Sequence, residues 1–129
     1  MQTGEGKMNV IWSKNLEGSW YIFNEHTINK NVYAGREGVY VIFTNDNNIP
    51  IAHYVGRGKI KERLREYTLY NPMRARRVTT NSLCLTWTYI SNGNDQRNAE
   101  AYLIQNLYPL ENKQRPLPMN PYFTINLPW

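Results

Sequence analysis

Residues 38–67 read GVYVIFTNDNNIPIAHYVGRGKIKERLREY. The run Val39-Tyr40-Val41-Ile42-Phe43 is β-branched and aromatic, which suits a pleated strand better than a helix. Thr, Asn and Asp over 44–48 predict a turn, because these side chains bond nearby backbone and tolerate unusual dihedrals. Residues 49–55 return as a second strand, with Pro50 near its start, where a missing N–H is tolerable. Pairing Val41 with His53 would set Tyr40 beside Tyr54 and Gly38 beside Gly56. A short helix follows Gly56-Arg57-Gly58. Lys59, Arg63 and Tyr67 recur every four residues and share one helix face. Ile60 and Leu64 form an adjacent stripe that can pack on the sheet. Two tyrosines, two glycines, two cations and a third tyrosine are therefore expected to converge at one sheet edge.

Downstream, Tyr70-Asn71-Pro72 is a helix stop, and 73–81 is a polar, basic connection. Leu83, Leu85, Trp87 and Tyr89 alternate with Cys84, Thr86, Thr88 and Ile90, a period of two that predicts a third strand. Residues 91–94 turn the chain, and Asn94 or Asp95 can cap a second helix from Gln96 to about Tyr108. Ala99, Leu103, Ile104 and Leu107 form its apolar stripe, Glu100 lies on or beside that stripe, and Pro109 ends the helix. Upstream, 9–12 and 19–23 are short aromatic runs, the second an extra strand or a segment lying across the core. Asn24 or Thr27 can cap a short helix to about Lys30. The tail from 111 holds four prolines, and its aromatics Tyr122, Phe123 and Trp129 predict packing on the body. The fold class is thus α+β: a three-stranded antiparallel sheet flanked by helices. An N-terminal extension over 1–35 packs on a central domain over 36–112, and a Pro/aromatic tail covers 113–129.

A chain of 129 residues fits one domain with a core of its own. Its single cysteine, Cys84, excludes an internal disulfide and a cysteine-rich metal site. No apolar run approaches a membrane span. The first ten residues lack the charged-then-apolar layout of a secretory signal, so a cytoplasmic location is expected. The net charge is +5, and the pI is near 9.4. Between 56 and 80, eight cations face two carboxylates, an excess of six that surpasses that of the whole chain. Such a zone suits a polyanionic partner through counterion release, although a solvated helix face has the same composition.

Gly38-Val39-Tyr40 followed by Tyr54-Val55-Gly56 resembles the paired motif of the GIY-YIG nucleases, with valine in place of isoleucine. Arg63 and Tyr67 match the arginine and the aromatic or histidine of that family's next helix. Arg57 matches a position often held by lysine. Glu100, Pro109 and Asn112 match its later glutamate and Pro-x-x-Asn segment. The resemblance spans 38–112 and implies a GIY-YIG-like nuclease domain there, a divalent-metal-dependent endonuclease cutting DNA, with double-stranded DNA the expected form. It implies that Tyr40 or Tyr54 takes the proton of the attacking water, without choosing between them.

Hydrolysis of a phosphodiester needs an activated water and stabilisation of charge on the phosphoryl oxygens. Glu100 offers a hard oxygen ligand, and one carboxylate suffices for a magnesium or manganese ion that keeps most of its waters. Arg63 can lay its planar fork on phosphate oxygens. Tyr67 would bond the attacking water or the phosphate. Arg57 and Lys59 would hold flanking phosphates, with Arg74, Arg76 and Arg77 as a nonspecific grip. Gly38 and Gly56 would admit the substrate backbone, although turn geometry explains glycine equally well. Asn112 would tie the turn after the late helix. His26 and His53 are isolated and are given no catalytic part.

Each of these residues also has an ordinary use, as core aromatic, helix-surface cation or solvated carboxylate. The spacing from Gly56 to Arg63 is one residue shorter than the commonest family pattern. That favours a second reading, a catalytically inactive nucleic-acid-binding module on the same scaffold. A third reading is a protein-interaction domain that docks through its aromatic tail. No helix-turn-helix, zinc finger or coiled coil is visible. Target choice would then rest on the short flanks, on a homodimer or on a specificity-providing protein partner.

Overall fold

The computed structural model describes residues 6–30, 32–69 and 83–129. Its elements in order are β1 (Lys7–Met8), β2 (Tyr21–Ile22), α1 (Glu25–Ile28), β3 (Glu37–Asp46), β4 (Ile49–Lys59), α2 (Ile60–Leu69), β5 (Cys84–Tyr89), α3 (Gly93–Leu107) and β6 (Thr124–Ile125). The helix stop at 70–72, the connection over 73–81 and the arginines Arg74, Arg76 and Arg77 lie outside the described residues.

The architecture is a small α+β domain around one antiparallel sheet of order β2-β5-β3-β4. Four strands, not the expected three, make up this sheet. The fourth is β2, drawn from the aromatic run at 19–23, which pairs Tyr21 with Leu85 and Ile22 with Cys84. Tyr21 lies 4.9 Å from the Trp87 ring, and Phe23 N–H donates to the Leu83 carbonyl, so aromatic packing holds the short strand in place. A second, two-stranded parallel sheet joins β1 to β6.

The β3–β4 register differs from the one expected. Val41 faces Val55, Tyr40 faces Gly56 and Gly38 faces Gly58. Two local causes account for it. Asn47 and Asn48, at φ 53° and 62°, make a tight two-residue turn, so Asp46 already pairs with Ile49. A bulge then shifts the ladder between Ile42↔Tyr54 and Phe43↔Ala52, leaving His53 as the extra residue. On a regular strand Ala52 and Tyr54 would share a face. Here Ala52 packs with Val39, Val41 and Phe43 on one side, while Tyr54 joins Tyr40 and Ile42 on the other.

The sheet thus carries a core on each face. One holds Val39, Val41, Phe43 and Val55 against Ala99, Leu103 and Ile104 of α3, with Phe123 and Ile125 of the tail. The other holds Tyr40, Ile42, Leu85 and Trp87 against Ile60 and Leu64 of α2. Helix α3 is capped by Asn92 rather than Asn94 or Asp95. The Asn92 backbone is extended (φ −78°, ψ 125°), and its side-chain oxygen accepts from Asp95 N–H. Tyr108 closes the helix in the left-handed region at φ 50°, just before Pro109. In the tail, Trp129 rests 4.6 Å from the Phe43 ring, but Tyr122 is exposed rather than packed. Phe123 takes the inward position, which turns its neighbours outward.

No helix among the described residues is long and apolar enough to cross a membrane.

Candidate active site

A cavity of about 390 Å³ opens between β3, β4, α2 and α3. Tyr40, Tyr54, Arg57, Arg63, Tyr67 and Glu100 line it, together with Gly56 and Glu66. Strand alternation through the pairs Tyr40↔Gly56 and Ile42↔Tyr54 puts Tyr40 and Tyr54 on the same face, their rings 6.2 Å apart and inclined by 38°. The Tyr67 ring follows 5.3 Å from Tyr54 and is backed by Phe23 at 5.7 Å. Helix α2 delivers Arg63 and Tyr67 one turn apart on its cavity side, and α3 delivers Glu100 beside its buried stripe.

The three phenols are not equivalent. Tyr40 is buried, and its hydroxyl is held well above the usual phenol range, first by burial, then by the neighbouring Tyr54; Arg63 opposes this more weakly. At neutral pH it keeps its proton and has a hydrogen bond to donate. Tyr54 is half-buried and reaches the cavity. Tyr67 donates its hydroxyl to both oxygens of Glu111, at 3.1 and 3.2 Å.

Burial raises the Glu100 carboxyl above the usual glutamate range, with Arg57 and Arg63 pulling it back. Arg57 Nε lies 3.5 Å from Glu100 Oε1. Arg57 thus faces a carboxylate in the cavity wall while remaining partly exposed. Arg63 Nη1 donates to Glu66 Oε2 at 2.9 Å, an exposed pair that also keeps the guanidinium firmly protonated. Lys59 is exposed at the end of β4 and does not line the cavity.

Both glycines are required by packing. A β-carbon on Gly38 would overlap the Thr88 backbone of β5, and one on Gly56 would overlap the Tyr40 phenol. Asn112 takes the structural role expected of it. Its side chain accepts from Val55 N–H and donates to the Val55 carbonyl, both at 2.9 Å. With Leu110 and Glu111 N–H donating to the Ala52 and His53 carbonyls, 110–112 covers the open edge of β4.

Two residues near the site had no assigned part. Glu111 carries the Tyr67 hydroxyl and also meets His53 Nδ1 at 3.2 Å. Thr44 Oγ1 is 3.3 Å from the other ring nitrogen of His53. A second cavity of about 430 Å³ shares Tyr54 and Glu100 with the first and reaches Glu111, Asn112 and Lys113. Only the carboxylate next to Asn112 could have signalled Glu111, and period-two spacing points His53 the wrong way because of the bulge.

Among the described residues no three His, Cys, Asp or Glu side chains gather as a metal cluster. Glu100 alone offers a hard, half-buried carboxylate to the cavity. Comparison with protein-family models, curated proteins and solved structures gives no match.

Proposed function

We propose that this chain is a divalent-metal-dependent endonuclease of the GIY-YIG kind, hydrolysing phosphodiester bonds in DNA. What supports the reading is one observation: a carboxylate from α3, a guanidinium from α2 and phenols from β3, β4 and α2 all line a single cavity. These groups are far apart in the chain, and only the fold brings them together.

Glu100 fits a magnesium or manganese ion, since its oxygens are hard and its setting is partly desolvated. Such an ion, when bound, would polarise the scissile phosphate as a Lewis acid. The chain's own residues supply the rest. Arg63, on leaving Glu66, would lay its fork on two phosphoryl oxygens and hold the charge that builds there. Tyr40 would donate a hydrogen bond from its retained proton. Tyr54 and Tyr67 would position the attacking water between them. Arg57 would keep Glu100 ionised despite its burial. The basic side chains Lys61 and Arg65 of α2 would attract the polyanion.

The test is cleavage of supercoiled plasmid by the pure protein in magnesium or manganese. Wild type should nick or linearise the DNA, and chelation should stop it. Glu100→Ala should be inert, with an unchanged circular-dichroism spectrum. Cleavage by Glu100→Ala at the wild-type rate removes the mechanism. Salt-dependent DNA binding without cleavage in either metal would instead favour the inactive binding module.

A further inference from the structure

The reaction proposed above leaves one question open: where the proton of the attacking water goes. A phenol with a reference pKa near ~10 is almost wholly protonated at neutral pH, so it is a poor final acceptor, while a carboxylate near ~4.3 is ready to accept. Tyr40 is poorer still, being buried and held above the phenol range. Glu100 is assigned to the metal. Glu66 also lines the cavity but is exposed and bonds Arg63, whereas Glu111 is hydrogen-bonded to a phenol of the wall.

Its position is built, not incidental. The side chain is 18% exposed, beside a His53 side chain that is 9% exposed. Three strands of structure aim at it: Tyr67 from α2 gives its hydroxyl, His53 from the β4 bulge meets Oε2, and the Glu111 N–H is anchored on the His53 carbonyl. Because an ionised carboxylate can only accept, His53 Nδ1 is the donor to it, and Nε2 meets the Thr44 hydroxyl. Tyr67, having given its proton to Glu111, has only lone pairs to offer a water in the cavity that it lines.

We infer that Glu111 is a positioning residue and the terminal proton acceptor of the hydrolysis, acting through Tyr67. As the water oxygen bonds to phosphorus, its proton passes to the Tyr67 oxygen, and the Tyr67 proton passes to Glu111. Tyr67 ends neutral, and Glu111 ends as the acid. The P–O bond to the leaving oxygen breaks, and that oxygen keeps the electron pair and takes a proton from solvent. His53 holds the carboxylate in place through both states. This inference rests on the nuclease reading.

The experiment compares wild type, Glu111→Gln, Tyr67→Phe and the double variant in single-turnover plasmid cleavage, with DNA affinity and melting temperature measured alongside. Glutamine keeps an oxygen for the Tyr67 hydroxyl but cannot take the proton. The cleavage rate constant should fall about 100-fold in each single variant, with DNA affinity unchanged. The double variant should be no slower than the worse single one, since both break one relay. A purely structural role would lower the melting temperature and leave the rate of folded protein alone. Wild-type rate in Glu111→Gln, or losses that multiply in the double variant, overturns the relay and leaves the nuclease standing. If Glu111→Gln does not fold, Tyr67→Phe decides: wild-type rate there overturns the relay as well. Failure of the wild type itself to cleave in either metal sinks both readings together.

Discussion

Tyr40 lies across Gly56, its partner in the β3–β4 ladder, so closely that a β-carbon on Gly56 would overlap the phenol. The ring has little room to retreat, because it is buried and abuts Tyr54. Gly56→Ala should therefore cost about 1–3 kcal/mol, as overpacking commonly does. Gly38→Ala should cost more. Its β-carbon would strike backbone at Thr88, and β3 lies between β4 and β5 and cannot move without opening two ladders. Urea melts of the two variants check the order; a harmless Gly38→Ala would refute it.

Arg63 must exchange Glu66 for a phosphate when DNA binds. The pair is exposed on both sides and should be weak. Glu66→Gln should then tighten DNA binding a few-fold, by freeing the guanidinium and removing a negative charge from the cavity wall. Arg63→Ala should slow cleavage by about 10²–10³ and flatten the salt dependence of binding by about one charge. Weaker binding in Glu66→Gln would mean that Glu66 orients Arg63 for the phosphate instead of restraining it.

The elements that repeat along the chain were legible in the sequence. Alternation over 83–90 marked β5, and Ile60 with Leu64 and Ala99 with Leu103 marked the buried stripes of α2 and α3. Spacing likewise brought Tyr40, Tyr54, Arg63 and Tyr67 to one sheet edge, whereas Glu100 joined them only through the resemblance and Glu66 was not singled out. What escaped was of another kind. The bulge at His53 inserts one residue into a strand where Ala52 and Val55, on either side, are both buried, so the order of apolar and exposed positions does not betray the break in period. The two-residue strands β1, β2 and β6 are too short to show a period at all, and distant contacts hold them. The cap was expected at Asn94 or Asp95, and the extended backbone of Asn92, on the other side of Gly93, decided for Asn92 instead. The Arg57–Glu100 and Tyr67–Glu111 contacts join separate elements and leave no local trace.

Asn112 stands in for a neighbouring strand, taking both the N–H and the carbonyl of the buried Val55. Asn112→Ala strips both partners at once. Each buried backbone group left without one costs about 1–3 kcal/mol, so the loss should be about 2–4 kcal/mol once water reaches part of the edge. Asn112→Asp keeps the acceptor for Val55 N–H but loses the donor and sets a charge against a carbonyl, so it should recover little. Chemical denaturation checks both, and near-native stability in Asn112→Ala would mean that Leu110 and Glu111 cover the edge unaided.

Glu100 is held above the ordinary glutamate range mainly by burial, and this has a sign for stability. The folded state binds the proton more readily than the unfolded chain does. Between the unfolded value, about 4.3, and the higher folded one, folding takes up a proton, so stability falls as pH rises through that window. Above it the cost of a half-buried charge is fully present. Glu100→Gln removes the charge and keeps the shape. It should melt at a higher temperature than wild type at pH 7, and the gap should close below about pH 4, where wild type is protonated too. The same variant should lose metal-dependent cleavage, since an amide is a far weaker ligand for magnesium than a carboxylate. A lower melting temperature at pH 7 would show that attraction to Arg57 and Arg63 outweighs desolvation.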